Sequence, residues 1–372
     1  MRIGFDAKRA FHNRRGLGNY SRDLLRILAE QHPAHEYLLF NPKTAPESLF
    51  HPAFNQQEIR PEGIIYRSAP SLWRTFGICN AIQQQKVDIY HGLSQELPFG
   101  IHRKQVKTVL SFHDAIFMRF PEQYDALYRQ TFIRKNRYSL KVADRIVAVS
   151  EQSKLDLMEF FGIAEQNIEV IYQGCNASFG KAVSEEEKSI CAQKYGLPGE
   201  YMLTVGALET RKNLLNLLKA HALGRTGIPL VIVGRATRHA AQLKEEAQRL
   251  KIADQVLFLH EVNNQDLPAL YQSALIFVFP SVYEGFGIPI LEALSSGVPV
   301  ITSSGSCFAE TGGDAAMYVN TSEPAALSEA IASLCSDSVM QKKMIEKGIA
   351  HSQQFSEDKI ANRWMNLYKS LV

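Results

Sequence analysis

Short, unbroken apolar runs alternating with amphipathic stretches constrain this chain more than any other feature. In the first half the runs are Ile3–Phe5, Tyr37–Phe40, Ile64–Tyr66, Val87–Tyr90, Val106–Phe112, Ile146–Val149 and Ile168–Ile171. In the second they are Tyr201–Val205, Pro229–Val233, Val256–Leu259, Leu275–Phe279 and Val298–Thr302. Helix-period segments lie between several of them, notably Gly18–Leu28, Ser71–Gln84 and Tyr124–Val142. Runs this short and this uniformly apolar predict parallel strands covered by helices on both faces. With 372 residues there is room for about two such domains. The stretch QGCNASFGKAVSEEEKSICAQKYGLPGE, charged, glycine-containing and poor in strand signal, reads as the linker and the first peripheral helix of the second. Two doubly wound α/β units facing one another would form a cleft, since such sheets bind ligands outside the carboxyl ends of their strands.

Bulk properties narrow the function classes. A net charge of +3 calls for neither nucleic acid nor an acidic partner. The five cysteines, Cys79, Cys175, Cys191, Cys307 and Cys335, are scattered and form no Cys-x-x-Cys pair, which argues against a disulfide framework or a zinc knuckle. MRIGFDAKRA lacks a signal-peptide core, and no window approaches 18 uncharged apolar residues. The expectation is a cytoplasmic protein.

Four loci at predicted strand ends carry possible chemistry. In SVYEGFGIPILEALSSG, Glu284 and Glu292 flank a glycine loop that feeds a helix of about Pro289–Ser296, a cradle suited to an anion or a sugar hydroxyl. Glu292, read as lying in the first helical turn, is equally explained by the helix dipole, and Glu284 by an ordinary turn. In LTVGALETRKNL, Arg211 and Lys212 stand before a helix with Asn213 as its N-cap. Fixed cations are disfavoured there unless an anion joins them, although a solvated basic turn has the same sequence. RGLGNY, with Gly16 and Gly18, resembles half of a dinucleotide fingerprint and reads as a glycine turn open to a ligand. SFHDA places His113 beside Asp114 at the end of the strongest N-terminal strand, with no further ligands spaced for a metal and no Asp-x-Asp pair in the chain.

Taken together, Glu284-x7-Glu292 within YEGFGIPILEALSSGVPVI resembles the EX7E signature of the retaining glycosyltransferases of family 4, which have the GT-B fold. GALETRKNL resembles that family's Arg-Lys diphosphate loop, GLGNY its N-terminal glycine turn and FHDAIFMRFPE its acceptor-side histidine segment. AETGGDAAMYV resembles the stretch beyond the signature, with Ala309 where a proline is usual. The resemblance implies a GT-B fold with an acceptor-side domain of residues 1–175 plus about 356–372, and a nucleotide-sugar donor domain of residues 176–355. It implies that Arg211 and Lys212 neutralise the departing diphosphate and that Glu292 accepts from the ribose. Glu284, with backbone from Phe286, Gly287 and Ile288, would hold the donor sugar. Gly16 and Gly18 would approach the donor from the other side, and His113 would orient or catalyse. The implied activity is hexosyl transfer with retention, without metal or other cofactor, the nucleotide sugar being the substrate. The HDAIFMRFPEQY segment looks most like bacterial mannosyltransferases, which points to GDP-mannose and a glycan or lipid-linked acceptor in surface polysaccharide synthesis. UDP- and dTDP-sugar donors, a two-domain nucleotide-sugar epimerase and a non-catalytic nucleotide-sugar-binding protein are the alternatives. The basic, aromatic TFIRKNRYSLKVADR suggests peripheral contact with the inner face of the plasma membrane, or simply a solvated helix face.

Overall fold

The computed structural model describes residues 1–44 and 49–372. They form two compact units, Met1–Gly174 with Glu357–Val372, and Cys175–Ser356. In the first unit the strands are β1 (Arg2–Asp6), β2 (Glu36–Phe40), β3 (Gln56–Ile59), β4 (Ile89–Gly92), β5 (Lys107–Phe112), β6 (Arg145–Ala148) and β7 (Ile168–Val170). They pair in the order β3-β2-β1-β4-β5-β6-β7, every pairing parallel. The second unit holds β8 (Met202–Val205), β9 (Leu230–Val233), β10 (Val256–Leu259), β11 (Ile276–Phe279), β12 (Val300–Ser303) and β13 (Ala316–Val319). Their order is β10-β9-β8-β11-β12-β13, again all parallel. Each sheet therefore has one place where the chain's direction of winding reverses, between β1 and β4 and between β8 and β11. A crevice opens at such a point because the loops leaving the two strands diverge to opposite faces.

The central strands are continuously buried, as their unbroken apolar sequences require. The C-terminal helix, Glu357–Lys369, closes the first unit's core. Ile360, Trp364 and Tyr368 recur at a spacing of four and lie buried with Phe5, Leu24 and Leu28.

Several expectations change. Ile64–Tyr66 is not a strand but part of a helix, Ile64–Ser68, with Ile64 and Ile65 exposed. The strand lies earlier, in polar QQEI, where an edge position needs little apolar surface and Gln56 is satisfied by the Leu25 carbonyl at 2.7 Å. Ser71–Gln84 is not one regular helix. It runs as Pro70–Leu72, a widened π-turn Trp73–Gly77, and Ile78–Gln84. Such widened turns re-aim side chains and recur at functional sites. The helix after β11 spans Ile288–Ser295, with Pro289 at its second position. Glu292 therefore stands in the second turn, beyond the reach of the dipole argument.

Candidate active site

The loops leaving β8 and β11 meet at the reversal point of the second sheet. After β8 the chain makes a single turn, Thr210–Lys212, and enters the helix Leu214–Gly224. Asn213 begins that helix in the left-handed conformation, which asparagine tolerates, and its side chain bonds the Thr321 carbonyl at 2.8 Å instead of capping the helix. The backbone joins the two loops directly: the Val282 N–H donates to the Arg211 carbonyl at 2.9 Å. Arg211 returns a bond from Nη1 to the Tyr283 carbonyl at 3.1 Å.

This seam brings three of the sequence candidates into contact. The Glu284 carboxylate receives Arg211 Nη1 on Oε2 at 2.8 Å and Lys212 Nζ on Oε1. All three side chains are largely buried, Lys212 also lying over the Phe279 ring at 4.8 Å. Burial alone would raise the Glu284 carboxyl, but Lys212 and then Arg211 outweigh it and hold it at about 2. Burial lowers the Lys212 ammonium, with Glu284 pulling the other way. Two buried cations thus share one buried carboxylate, and Glu209, 3.2 Å from Arg211, stands more exposed at the rim. The cations expected to await an anion have turned onto Glu284. A phosphate reaching them would compete for the bonds that Glu284 now receives.

The rest of the loop is held by residues that the sequence did not single out. Glu284's N–H donates to Ser306 Oγ at 3.3 Å, and its carbonyl accepts from Cys307 Sγ at 3.4 Å. Thr311 Oγ1 donates to the Phe286 carbonyl at 2.9 Å, while the buried Phe286 ring packs edge-on to Phe355. Gly287 opens the next helix at φ 93°, a region where a side chain is strained, and leaves the following Ile288 as the first helical residue. Glu292, farther along that helix, accepts a bond from Tyr271 Oη at 2.9 Å. Ser306 and Cys307 are signalled only by a run of small residues after β12, and Thr311 only by the AETGGDAAMYV stretch, neither of which specifies a partner.

The remaining candidates belong to the first unit. Gly16 and Gly18 form no positive-φ turn; both lie in the first turn of the helix Gly16–Gln31. Gly18 is glycine because a Cβ would stand 1.7 Å from the Asn13 carbonyl oxygen, whereas Gly16 faces open space. His113 is buried, with Nε2 bonding the Leu93 carbonyl at 2.8 Å and Nδ1 meeting Gln173 Nε2 at 3.3 Å. A carbonyl can only accept, so Nε2 carries the proton and Nδ1 accepts from Gln173. Burial pushes this imidazole down to about 4, against the Leu93 carbonyl and with help from Arg9. Tyr20 packs edge-on at 4.6 Å. Behind it, Tyr20 and His91 share Ser111 Oγ at 3.0 and 2.8 Å, and His91 reaches Tyr368 of the C-terminal helix at 2.8 Å. Among the described residues no cluster of three or more His, Cys, Asp or Glu is placed to hold a metal ion. Nor is any helix among them long and apolar enough to cross a membrane.

Residues 14–179 match the family model for Glycosyltransferase Family 4, and residues 191–351 that for glycosyl transferases group 1. O-antigen chain mannosyltransferase B of Escherichia coli is 29% identical over the full length of both chains. O-antigen chain mannosyltransferase RfbU of Salmonella typhimurium is 31% identical over 62% of this chain and 60% of its own. Among solved structures, sucrose-phosphate synthase of Thermosynechococcus elongatus superposes with a TM-score of 0.79 at 20% identity, covering 100% of this chain and 99% of the other. Anabaena HepE in complex with UDP and glucose gives 0.77 at 19% identity, with both chains fully covered.

Proposed function

The chain belongs to the GT-B glycosyltransferases, its first half of family 4 and its second of group 1, and we propose that it transfers mannose from GDP-mannose, with retention and without a metal, in O-antigen chain synthesis. The relatives named O-antigen chain mannosyltransferase support the sugar and the setting. The observation in this chain that carries the reading is the buried Arg211–Lys212–Glu284 cluster at the reversal point of the second sheet.

In this reading the bond between the anomeric carbon and the phosphate oxygen breaks, and charge develops on the departing diphosphate. Arg211 and Lys212 meet that charge with fixed donors in a largely buried site, where each counts for more than it would in water. Phosphate oxygens take the cations, and Glu284 is freed to accept from hydroxyls of the donor sugar. Backbone of Phe286, Gly287 and Ile288 completes the sugar's seat, and Glu292, steadied by Tyr271, accepts from the ribose. The acceptor oxygen bonds the anomeric carbon on the same face, its proton passing to the departing phosphate oxygen, so no protein nucleophile is required. Both nitrogens of His113 are already engaged, which supports an orienting role over proton transfer.

A thermal-shift comparison of GDP-, UDP- and dTDP-linked sugars tests the donor. A ligand at 100 times its dissociation constant stabilises by about 2.7 kcal/mol. Stabilisation by UDP-glucose and not by GDP-mannose would overturn the assignment, and an NMR reading of the product's anomeric configuration checks retention. The acceptor is a glycan or a lipid-linked oligosaccharide. For the latter, exposed Arg134, Arg137 and Lys141 with exposed Leu127 and Tyr128 favour peripheral contact with an anionic membrane. Co-sedimentation with phosphatidylglycerol vesicles, lost when these basic residues become glutamine, is the expected result.

A further inference from the structure

The loop that carries Glu284 has no regular structure, so its buried backbone groups need partners from other segments. It finds them at every second residue. The Val282 N–H goes to the Arg211 carbonyl, the Phe286 carbonyl accepts from Thr311 Oγ1, and Glu284 between them is tied at both its N–H and its carbonyl. One hydroxyl makes both ties. Ser306 Oγ accepts from the Glu284 N–H at 3.3 Å and donates to the Glu284 carbonyl at 3.2 Å. Cys307 Sγ adds a weaker donor to that carbonyl. Among the described residues the Glu284 N–H has no other partner.

Ser306 makes these bonds from a strained backbone. Its φ is 51°, a left-handed value that glycine adopts freely and serine does not. Gly305 precedes it at φ 85°, so the turn already contains one residue suited to such angles. Strain of this kind gathers at functional sites, where the side chain rather than the backbone explains the residue. The hydroxyl's one other neighbour is Cys307 Sγ at 3.9 Å, a weak acceptor, which leaves the Glu284 backbone as its main engagement.

The charges show why such a tie is needed. The Glu284 side chain is held by Arg211 and Lys212. These are the groups that the oxygens of a departing diphosphate would claim, so the side chain loses both anchors at the step in which it must hold the donor sugar. The ties to Ser306 join neutral groups and survive that exchange. We infer that Ser306 is a positioning residue for the transfer: it fixes the Glu284 backbone, so that the carboxylate keeps its place while the diphosphate takes Arg211 and Lys212. The inference rests on the sugar-transfer reading for its purpose, and on the two Ser306 bonds for its geometry.

Ser306→Gly and Ser306→Ala separate this role from a contribution to folding. Both lose the hydroxyl, but glycine also relieves the left-handed strain, so its variant should melt above the alanine one. Mannosyl transfer from GDP-mannose to an α-mannotriose should nevertheless fall about tenfold in kcat in both, with the GDP thermal shift unchanged. Hydrogen exchange at the Glu284 N–H, followed on the full chain without added ligand, should run about tenfold faster in both variants than in wild type. A wild-type kcat in Ser306→Gly, a kcat that tracks melting temperature across the two variants, or unchanged exchange at Glu284 overturns the inference. Faster exchange in the variants with no transfer by wild type would leave the tie standing and overturn the transfer reading instead.

Discussion

Both sheets reverse their winding beside a buried guanidinium paired with carboxylates, but the proportions are opposite. In the second unit two cations, Arg211 and Lys212, share the single buried carboxylate of Glu284. In the first, the single guanidinium of Arg74 serves two carboxylates, Asp6 and Glu96, with Lys135 only at the rim. Burial makes the difference chemical. A surplus cation that water cannot fully screen favours phosphate oxygens, whereas in the first unit Arg134 and Lys135 stand beside the Arg74 pairs and leave no carboxylate in surplus. The position is thereby suited to a charged leaving group in the second unit, while in the first the charges are held in pairs by Arg74. Neither cluster is chiefly a stabilising device, because buried ion pairs return little beyond the cost of desolvating them.

The largest effect should come from breaking the second unit's balance. Glu284→Ala leaves two buried cations without their carboxylate and should lower stability by about 3–5 kcal/mol in thermal denaturation. Inorganic diphosphate should restore part of the loss, and more than it stabilises wild type. Asp6→Ala in the first unit should show no such rescue. If diphosphate rescued both equally, the contrast between the units would collapse.

Next in size is Lys212→Ala, expected to reduce kcat by about 10²–10³ in a transfer assay. A change confined to the KM for acceptor would instead place Lys212 outside the leaving-group site.

Acid should separate the units by pH. His113 and His91 are buried neutral, burial holding them at about 4 and about 3, so each binds its proton more readily when unfolded. Their contribution is present above the ordinary histidine value near 6.5 and is lost as pH falls from there toward 4. Glu284 acts lower, its contribution present above about 4.5 and lost as pH falls toward 2. Hydrogen exchange between pH 6.5 and 4.5 should therefore show the first unit's core around β4 and β5 loosening before the loops after β8 and β11. Simultaneous loosening would count against it.

The smallest effect is Tyr271→Phe, which removes one bond to half-buried Glu292. A loss of about 1 kcal/mol and a modest rise in donor KM are expected. A large fall in kcat would give Glu292 a more direct part in the chemistry than ribose binding.

Much of this was legible in the chain. Continuous apolar runs such as Phe277–Phe279 can only be central strands, so most of both sheets was predicted closely. The runs failed where burial is one-sided: polar Gln56–Ile59 is a strand at a sheet edge, and apolar Ile64–Ile65 is an exposed helix. At the candidate site, residue types and spacing marked Arg211, Lys212, Glu284 and Glu292, but not their partners. Asn213, by type a capping residue, instead bonds Thr321, 108 residues away. Gly16 and Gly18, whose pattern suggests a turn, are helical, and Gly18 is required by the close Asn13 carbonyl.

The sequence by itself determined the architecture, because hydrophobic periodicity and helix-starting residues act over a few positions and need no distant partner. It also supplied the charges and the family to which they belong. Tertiary structure alone decided which charges meet. Asp6, Arg74 and Glu96 come from three separate stretches with no shared motif, and only the return of β4 to the side of β1 places their atoms within hydrogen-bonding distance. Parallel strand pairing sets such contacts across long separations, and local pattern carries no record of them.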